Sequence, residues 1–331
     1  MAVIAQKTDL NYCKHIIKRV CDVAGPRSLI KDVREDLHRA GIPDAILYND
    51  DPVLFTWFLR IFSLQGVSDQ AALSYLDHHD SPQLLDLYFE ASQIADCPLL
   101  KSYWTFKRCG YRKSASTCNQ PRLLSTCPLP DHDLRNGRLN QTAFSLALFI
   151  RDIAQENFTD WLLVQTKRVA NGESTIEEAL IQPLAQVYGA SDKVVRLAIS
   201  DLLLGAGAFD HWRKIGARIV VVDRLVHNFF QRTGILDRLG ASHRAGEQCY
   251  QANHCLDILY LLSTLVDARS YNTTYPSYFP RFVQKAIWNY CANGEFNICN
   301  GNEIDDRRRC ENKYCSLYRD CDRIKLLRKA K

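Results

Sequence analysis

Gly189-Ala190-Ser191-Asp192-Lys193 runs without a break into Val194-Val195-Arg196-Leu197-Ala198-Ile199-Ser200-Asp201-Leu202-Leu203-Leu204. The five leading residues read as a glycine turn and the rest as an amphipathic helix. Such a turn either caps the helix or holds a phosphate on its free first-turn amides. Further on, the apolar run Ile219-Val220-Val221-Val222 ends in one acid, Asp223, followed by Arg224-Leu225-Val226-His227-Asn228-Phe229-Phe230-Gln231-Arg232-Thr233. An acid in that position is either a helix N-cap or a catalytic carboxylate.

Outward from this stretch nearly every segment reads as helix, so the fold class is all-α. Residues 8–40 carry apolar positions at helical spacing, which predicts two helices separated by Gly25-Pro26, with Gly41-Ile42-Pro43 as the stop. Asp50-Asp51-Pro52 opens a helix whose body, Val53 to Phe62, is apolar almost all round and is therefore expected to be buried. Shorter helical patterns cover 70–76, 84–95 and 99–106, and longer ones 140–154, 158–169, 175–187, 256–268 and 281–290. Ser174-Thr175-Ile176-Glu177 has the form of a capping box. Between Cys109 and Arg138 the periodicity is lost among glycines, prolines, basic residues and cysteines.

A chain of 331 residues that is 47% apolar can bury a large core and is long enough for two lobes. Its net charge of +5 is unevenly placed: residues 306–331 hold ten Lys or Arg and four Asp or Glu, 10 − 4 = +6. A basic terminus on a nearly balanced body fits a polyanionic partner or a solvated tail. No signal segment opens the chain and no apolar run is long enough to span a bilayer, so no membrane association is expected. An intracellular site follows, cytoplasmic and nucleoid-associated or nuclear, not secreted. There, thirteen cysteines are better explained by metal binding than by disulfides.

The cysteines fall into groups. Cys299, Cys310, Cys315 and Cys321 place four thiols in 23 residues of polar sequence, with no histidine among them. That set suits an iron–sulfur cluster or a Cys-only zinc site. Cys97, Cys109, Cys118 and Cys127 are a second candidate metal set, zinc or iron–sulfur, with His132 as a substitute ligand. They stand in a basic stretch where Tyr103, Trp104 and Tyr111 could also meet nucleic acid. Cys13, Cys21, Cys249, Cys255 and Cys291 read as core thiols.

Gly294-Glu295-Phe296-Asn297-Ile298-Cys299, followed by Cys310, Cys315 and Cys321, resembles the C-terminal [4Fe–4S] loop of the endonuclease III-like branch of the helix-hairpin-helix DNA glycosylases. The first two gaps between the cysteines are longer than is usual there. Gly189 to Lys193 is similar to that family's hairpin, although Ser191 replaces its second glycine. Val222-Asp223 with Gln231-Arg232-Thr233 looks like the family's catalytic-aspartate segment, although Arg224-Leu225 stand where Thr-His is usual. The helix ending at Ser63-Leu64-Gln65-Gly66 resembles an early helix whose glutamine fills the gap left by an extruded base.

The resemblance implies a divergent member with a two-lobed fold. Residues 1–48 would pack on the cluster lobe, 49–208 would form a helical barrel lobe ending in the hairpin, and 209–331 would form the cluster lobe. A Cys-rich insertion would occupy about 109–138. It further implies catalytic Asp223 and Lys193, contact with double-stranded DNA through Gly189, Ala190, Ser191, Gln65 and Arg224, and a [4Fe–4S] cluster on the four tail cysteines. The expected activity is excision of a damaged or modified base by a monomer, with or without AP-lyase chemistry. The alternative is a catalytically inactive iron–sulfur or zinc protein that binds nucleic acid and keeps the fold. Residues 205–215, which lengthen the link between Lys193 and Asp223, are expected to form a loop.

Overall fold

Apolar residues recurring every three to four positions become helices wherever the structure, a computed structural model, describes the chain: residues 7–64, 74, 85–86, 88–89, 111–112, 117–118, 138–207, 209–299 and 304–326. The elements are α1 (Lys7–Ala24), α2 (Leu29–Arg39), α3 (Ile42–Tyr48), α4 (Asp51–Ser63), α5 (Arg138–Asp152) and α6 (Phe158–Ala170). A π-helical turn (Glu177–Ile181) then continues as α7 (Gln182–Ala185), followed by α8 (Asp192–Gly205), α9 (Asp210–Gly216), α10 (Arg224–Arg232) and α11 (Ile235–Arg238). After a 3₁₀ turn (Glu247–Tyr250) come α12 (Cys255–Ser263), a second 3₁₀ turn (Ala268–Ser270) and α13 (Pro280–Cys291). Among the described residues the one departure from helix and loop is a two-residue antiparallel ribbon pairing Tyr111 with Cys118 and Arg112 with Thr117. The chain is thus mostly helical, as its periodicity predicts.

Two compact units divide it, Met1–Asp32 with Gly216–Lys331, and Val33–Ile215. The cuts fall at 32/33, inside α2, and at 215/216, where the sequence reading put them at 48/49 and 208/209.

In the unit Val33–Ile215, α4 is the central rod. Leu54, Phe55, Phe58, Leu59 and Phe62 are all but inaccessible, and the helix packs on α5 and α8. Phe58 meets Phe158 edge-on at 5.0 Å, and Phe149 meets Trp161 at 5.2 Å. Each fully buried side chain of this size contributes about 1.5–3 kcal/mol relative to exposure. Asp50 caps α4 by accepting the Val53 amide proton, with Pro52 in the first turn.

Three local features differ from the sequence reading. Gly41-Ile42-Pro43 stops α2 and also starts α3, because Gly41 takes the left-handed conformation and Pro43 fits a helical first turn. The capping box is shifted by one residue: Thr175 and Glu178 cap each other, with Thr175 N–H to Glu178 Oε2 at 3.0 Å and Glu178 N–H to Thr175 Oγ1 at 3.2 Å. Glu177 instead pairs with the buried Arg196 of α8 at 2.6 Å. Residues 205–215, expected as a loop, contain α9, anchored by Trp212, which is fully buried and donates from Nε1 to Thr166 Oγ1 at 2.9 Å.

The unit formed by Met1–Asp32 and Gly216–Lys331 is built on α1 against α13. Cys13, Ile16, Ile17, Val20, Cys21 and Ala24 form the buried stripe of α1, and Phe282, Val283, Ala286, Ile287, Tyr290 and Cys291 that of α13. Both are the i, i+3, i+4, i+7 pattern of helices packed along one face. Burial pushes the Cys13 thiol up to about 11 and that of Cys21 higher still. The core-thiol reading of these two therefore describes their surroundings.

Asp51 gives a pH-dependent test. It is 4% exposed, its Oδ1 accepts the Phe158 amide proton at 2.9 Å, and its Oδ2 is buried without a partner. Burial raises its carboxyl above the ordinary value of 3.8 despite that bond. The folded state therefore holds the proton more tightly, and stability falls as pH rises from about 4 through the raised value. Asp51→Asn keeps the Oδ1 acceptor and removes the buried charge. It should leave stability near pH 4 unchanged, raise it at pH 7 and flatten the profile between, as read by urea unfolding at both pH values.

Candidate metal centres

α10 begins where Asp223 leaves an extended backbone and caps the helix, its Oδ1 accepting the Val226 amide proton at 3.0 Å. Asp223 is half-buried and Arg224 exposed, while Val226, His227, Phe229, Phe230 and Arg232 are buried. One nine-residue helix therefore carries three polar groups of interest, at its start, in its first turn and at its end.

At the end of α10, Arg232 and Phe229 join Tyr290 of α13 in lining a narrow cavity whose remaining wall includes Cys299, Cys310, Cys315, Cys321 and Arg323. The chain is brought there by hydrogen bonds from the amides of Ile298 and Cys299 to the Tyr290 carbonyl, at 2.9 and 3.2 Å, and from the Ile324 amide to the Arg232 carbonyl at 2.8 Å. Tyr290 Oη lies 3.2 Å from Cys315 Sγ, and the Arg323 amide donates to Cys321 Sγ at 3.3 Å. Burial raises the Cys315 thiol and pushes Cys321 up to about 12, with the neighbouring thiols adding to both. Cys299 moves the other way, held down first by its hydrogen bond with Cys291 and also by the Arg232 charge, while burial keeps Cys291 protonated. Cys291 is thus a core thiol that also touches the first cysteine of the tail.

Four soft sulfurs line this one cavity, and both of its lining arginines are under-satisfied: among the described residues, Arg232 Nη1 and Arg323 Nε are buried without a hydrogen-bond partner. Hydrogen bonds to the sulfurs, such as those from Tyr290 and Arg323, are a normal part of metal–sulfur sites.

A second group lies on the first turn of α10. Ligand atoms of His227, His243, Cys249 and Cys255 all fall within 4.8 Å of one another, so these four residues could hold a metal ion. His227, Cys249 and Cys255 are buried and His243 half-buried. His227 Nδ1 is 3.5 Å from the Sγ of both Cys249 and Cys255, and His243 Nε2 is 3.3 Å from Cys255 Sγ. The hydrogen bond between the two thiols holds Cys249 below the ordinary thiol range and, together with burial, pushes Cys255 above it. Cys249 and Cys255 are buried, as their reading as core thiols has it, and they stand in addition against two histidines. The sequence reading passed over His227 and His243, although His243, Cys249 and Cys255 recur every six residues.

In the unit Val33–Ile215, Gly189 has φ +77°, and a Cβ there would sit 2.6 Å from Thr142 Oγ1. Only glycine suits that turn. The Tyr188 amide donates to Ser145 Oγ at 2.9 Å, which seats the turn on α5. Ala190 is half-buried, and Ser191 stands at the N-cap of α8 in extended conformation without a side-chain capping bond. Lys193 is exposed in the first turn of α8. It belongs to Val33–Ile215, whereas Asp223 and Arg224 belong to the other unit. Gln65, Cys97, Cys109, Cys127, His132, Tyr103 and Trp104 lie outside the described residues, as do the side chains of Tyr111 and Cys118. No helix among the described residues is long and apolar enough to cross a membrane. No family model, curated protein or solved structure matches the chain.

The tail is fastened to α10 by an ion pair, Arg232 Nη2 to Asp306 Oδ1 at 2.7 Å, with Arg232 buried and Asp306 about a third exposed. Asp306→Ala should lower stability by about 1.5–3 kcal/mol, the range for a hydrogen bond to a charged group. The figure stays below that for a fully buried pair because water reaches Asp306. Denaturant unfolding measures it, and a change under about 0.5 kcal/mol, the scale of an ordinary surface substitution, would show that the pair does not hold the tail.

Proposed function

We propose that the chain is a DNA base-excision glycosylase of the helix-hairpin-helix type, with or without AP-lyase activity. The observation that carries this reading is α10, which has Asp223 as its cap and, at its other end, Arg232 in the wall of the four-thiol cavity. The acid and the cysteine loop, which resemble the same family separately, share one rigid element. Supporting it, an open groove in the tail is lined by Arg308, Arg309, Lys313 and the almost wholly exposed Tyr314. Cations beside an exposed aromatic ring suit a nucleic-acid backbone and an unstacked base.

In this reading the Asp223 carboxylate stabilises the positive charge that develops on the sugar as the N-glycosidic bond breaks. The base leaves with the bonding electron pair. In the lyase variant the Lys193 amine bonds to C1′ as the base leaves and gives up a proton, and opening of the sugar ring by cleavage of the C1′–O4′ bond, with O4′ taking a proton, gives a Schiff base. The turn Gly189-Ala190-Ser191 would bring a DNA phosphate to the N-terminus of α8, with Gln65 at the extruded base and Arg224 beside Asp223. Cys299, Cys310, Cys315 and Cys321 would hold a [4Fe–4S] cluster, which when bound supplies a cross-link of the tail and a redox-active centre.

Asp223→Asn separates chemistry from capping, since asparagine caps a helix about as well as aspartate. Its thermal unfolding should match wild type while excision from lesion-bearing duplexes falls by roughly 100-fold or more, the loss typical of removing one transition-state charge partner. Unchanged excision would sink the assignment. Borohydride should trap a covalent DNA adduct in wild type and none in Lys193→Gln; an adduct that persists in the variant removes Lys193 from the mechanism. Replacing both Arg309 and Lys313 by Ala should reduce the slope of log affinity against log salt by about 2, one per lost phosphate contact.

A catalytically silent, metal-stabilised nucleic-acid-binding protein is the competing reading. It is favoured by the commitment of Asp223 Oδ1 to the helix cap and by the separate helix α9 between Lys193 and Asp223. Both readings predict salt-dependent DNA affinity, so product formation decides between them.

A further inference from the structure

His227, His243, Cys249 and Cys255 come from four different places: the first turn of α10, the loop after α11, the 3₁₀ turn and the first position of α12. Chain segments with so little regular structure between them do not converge four ligand atoms to within 4.8 Å by helix packing alone. The tautomer of one ligand is also set. His243 Nδ1 lies 2.6 Å from the Ala241 carbonyl oxygen, which can only accept, so Nδ1 carries the proton and Nε2 turns its lone pair toward Cys255. His254 stacks flat on His243, with centroids 4.1 Å apart, and is itself tied to the Gln248 carbonyl at 2.6 Å, which fixes the ring from behind.

The separations match one coordination geometry. Zinc–sulfur bonds of about 2.3 Å and zinc–nitrogen bonds of about 2.0–2.1 Å at tetrahedral angles require N···S distances of roughly 3.5 Å. The three observed are 3.5, 3.5 and 3.3 Å. Two thiolates and two imidazoles filling a tetrahedron leave no open position, which is the pattern of a structural rather than a catalytic zinc.

We propose that His227 Nδ1, His243 Nε2, Cys249 Sγ and Cys255 Sγ bind a structural zinc ion that positions the backbone before Asp223. The link is Tyr250, next to Cys249. Its hydroxyl donates to the Val222 carbonyl at 3.0 Å and accepts from the Val222 amide at 3.1 Å, so the residue preceding Asp223 is held on both sides by one phenol. With Cys249 fixed by the ion, that phenol has a fixed base. The site is independent of the tail cysteines and of any excision activity.

The test is metal content of the full-length protein after growth in zinc- and iron-containing medium and exhaustive dialysis. One zinc per chain should be present in wild type and in Cys310→Ser/Cys315→Ser, and should fall at least tenfold in Cys249→Ser and in Cys255→Ser. Should those two variants fail to fold, cobalt loaded into wild type after zinc removal must give thiolate-to-cobalt charge transfer and intense tetrahedral visible bands. Tyr250→Phe should keep the zinc while hydrogen exchange quickens in the peptide containing Val222. Absence of zinc from wild type, zinc retained in the quartet variants, iron instead of zinc at the quartet, or octahedral cobalt bands would each overturn the metal assignment. Unchanged exchange in Tyr250→Phe would overturn the link to Asp223.

Discussion

Arg232 is a full positive charge with 1% of its surface exposed. A charge so placed is tolerable only with partners, because leaving it unpaired would cost several kcal/mol. The partner of the guanidinium comes from the far end of the chain, Asp306 at 2.7 Å, and the Arg232 backbone carbonyl separately accepts the Ile324 amide proton. Gly234 follows, in the left-handed conformation, where a side chain would be driven into the carboxylate of Asp322. Asp322 makes a two-pronged pair with Arg238, whose guanidinium lies over the ring of Tyr12 in α1. One buried cation thus draws the polar tail onto α10 and, through its neighbours, onto α1. The apolar stripe of α1 and α13 could not specify that docking, since the tail offers few apolar residues to bury.

A helix of nine residues is about 13 Å long. Over that length α10 carries Asp223 at its start, His227 one turn in and Arg232 at its last position. The His/Cys quartet and the four-thiol cavity are therefore spaced along one element. Phe229 and Phe230, both buried, lie between His227 and Arg232 along the helix.

The helices were legible because burial in this chain is one-sided. The stripes of α1 and α13 and the all-round apolar surface of α4 can be read from residue type alone. Gly41-Ile42-Pro43 misled because glycine and proline signal an end and a beginning with the same residues. Residues 205–215 misled because Phe209, Trp212 and Ile215 are too few to show a period. That the four tail thiols belong together was legible from their spacing in polar sequence, and they line one cavity. The quartet was not: its ligands span 29 residues, pair two histidines with two cysteines, and set His227 sixteen residues ahead of the six-residue spacing of the other three. A cysteine among apolar neighbours, such as Cys255 before Leu256, looks like core until a histidine is found against it. The residues between 65 and 137, with Gln65 and the second cysteine set, fall largely outside what the structure describes.

In the proposed glycosylase Asp223 would answer to two demands that its surroundings keep apart. Capping α10 needs only a side-chain oxygen, and serine, threonine or asparagine would meet it. A negative charge is not required by the cap, although the helix N-terminus favours one. What the cap does contribute is orientation: it fixes the carboxylate through Oδ1 against the Val226 amide. On the other side the Val222 backbone is held by Tyr250 at both its donor and its acceptor. A carboxylate clamped from both directions in the chain, yet half-open to its surroundings, has little freedom left to lose when charge develops near it. Electrostatic stabilisation of a cationic transition state depends on that kind of preorganisation.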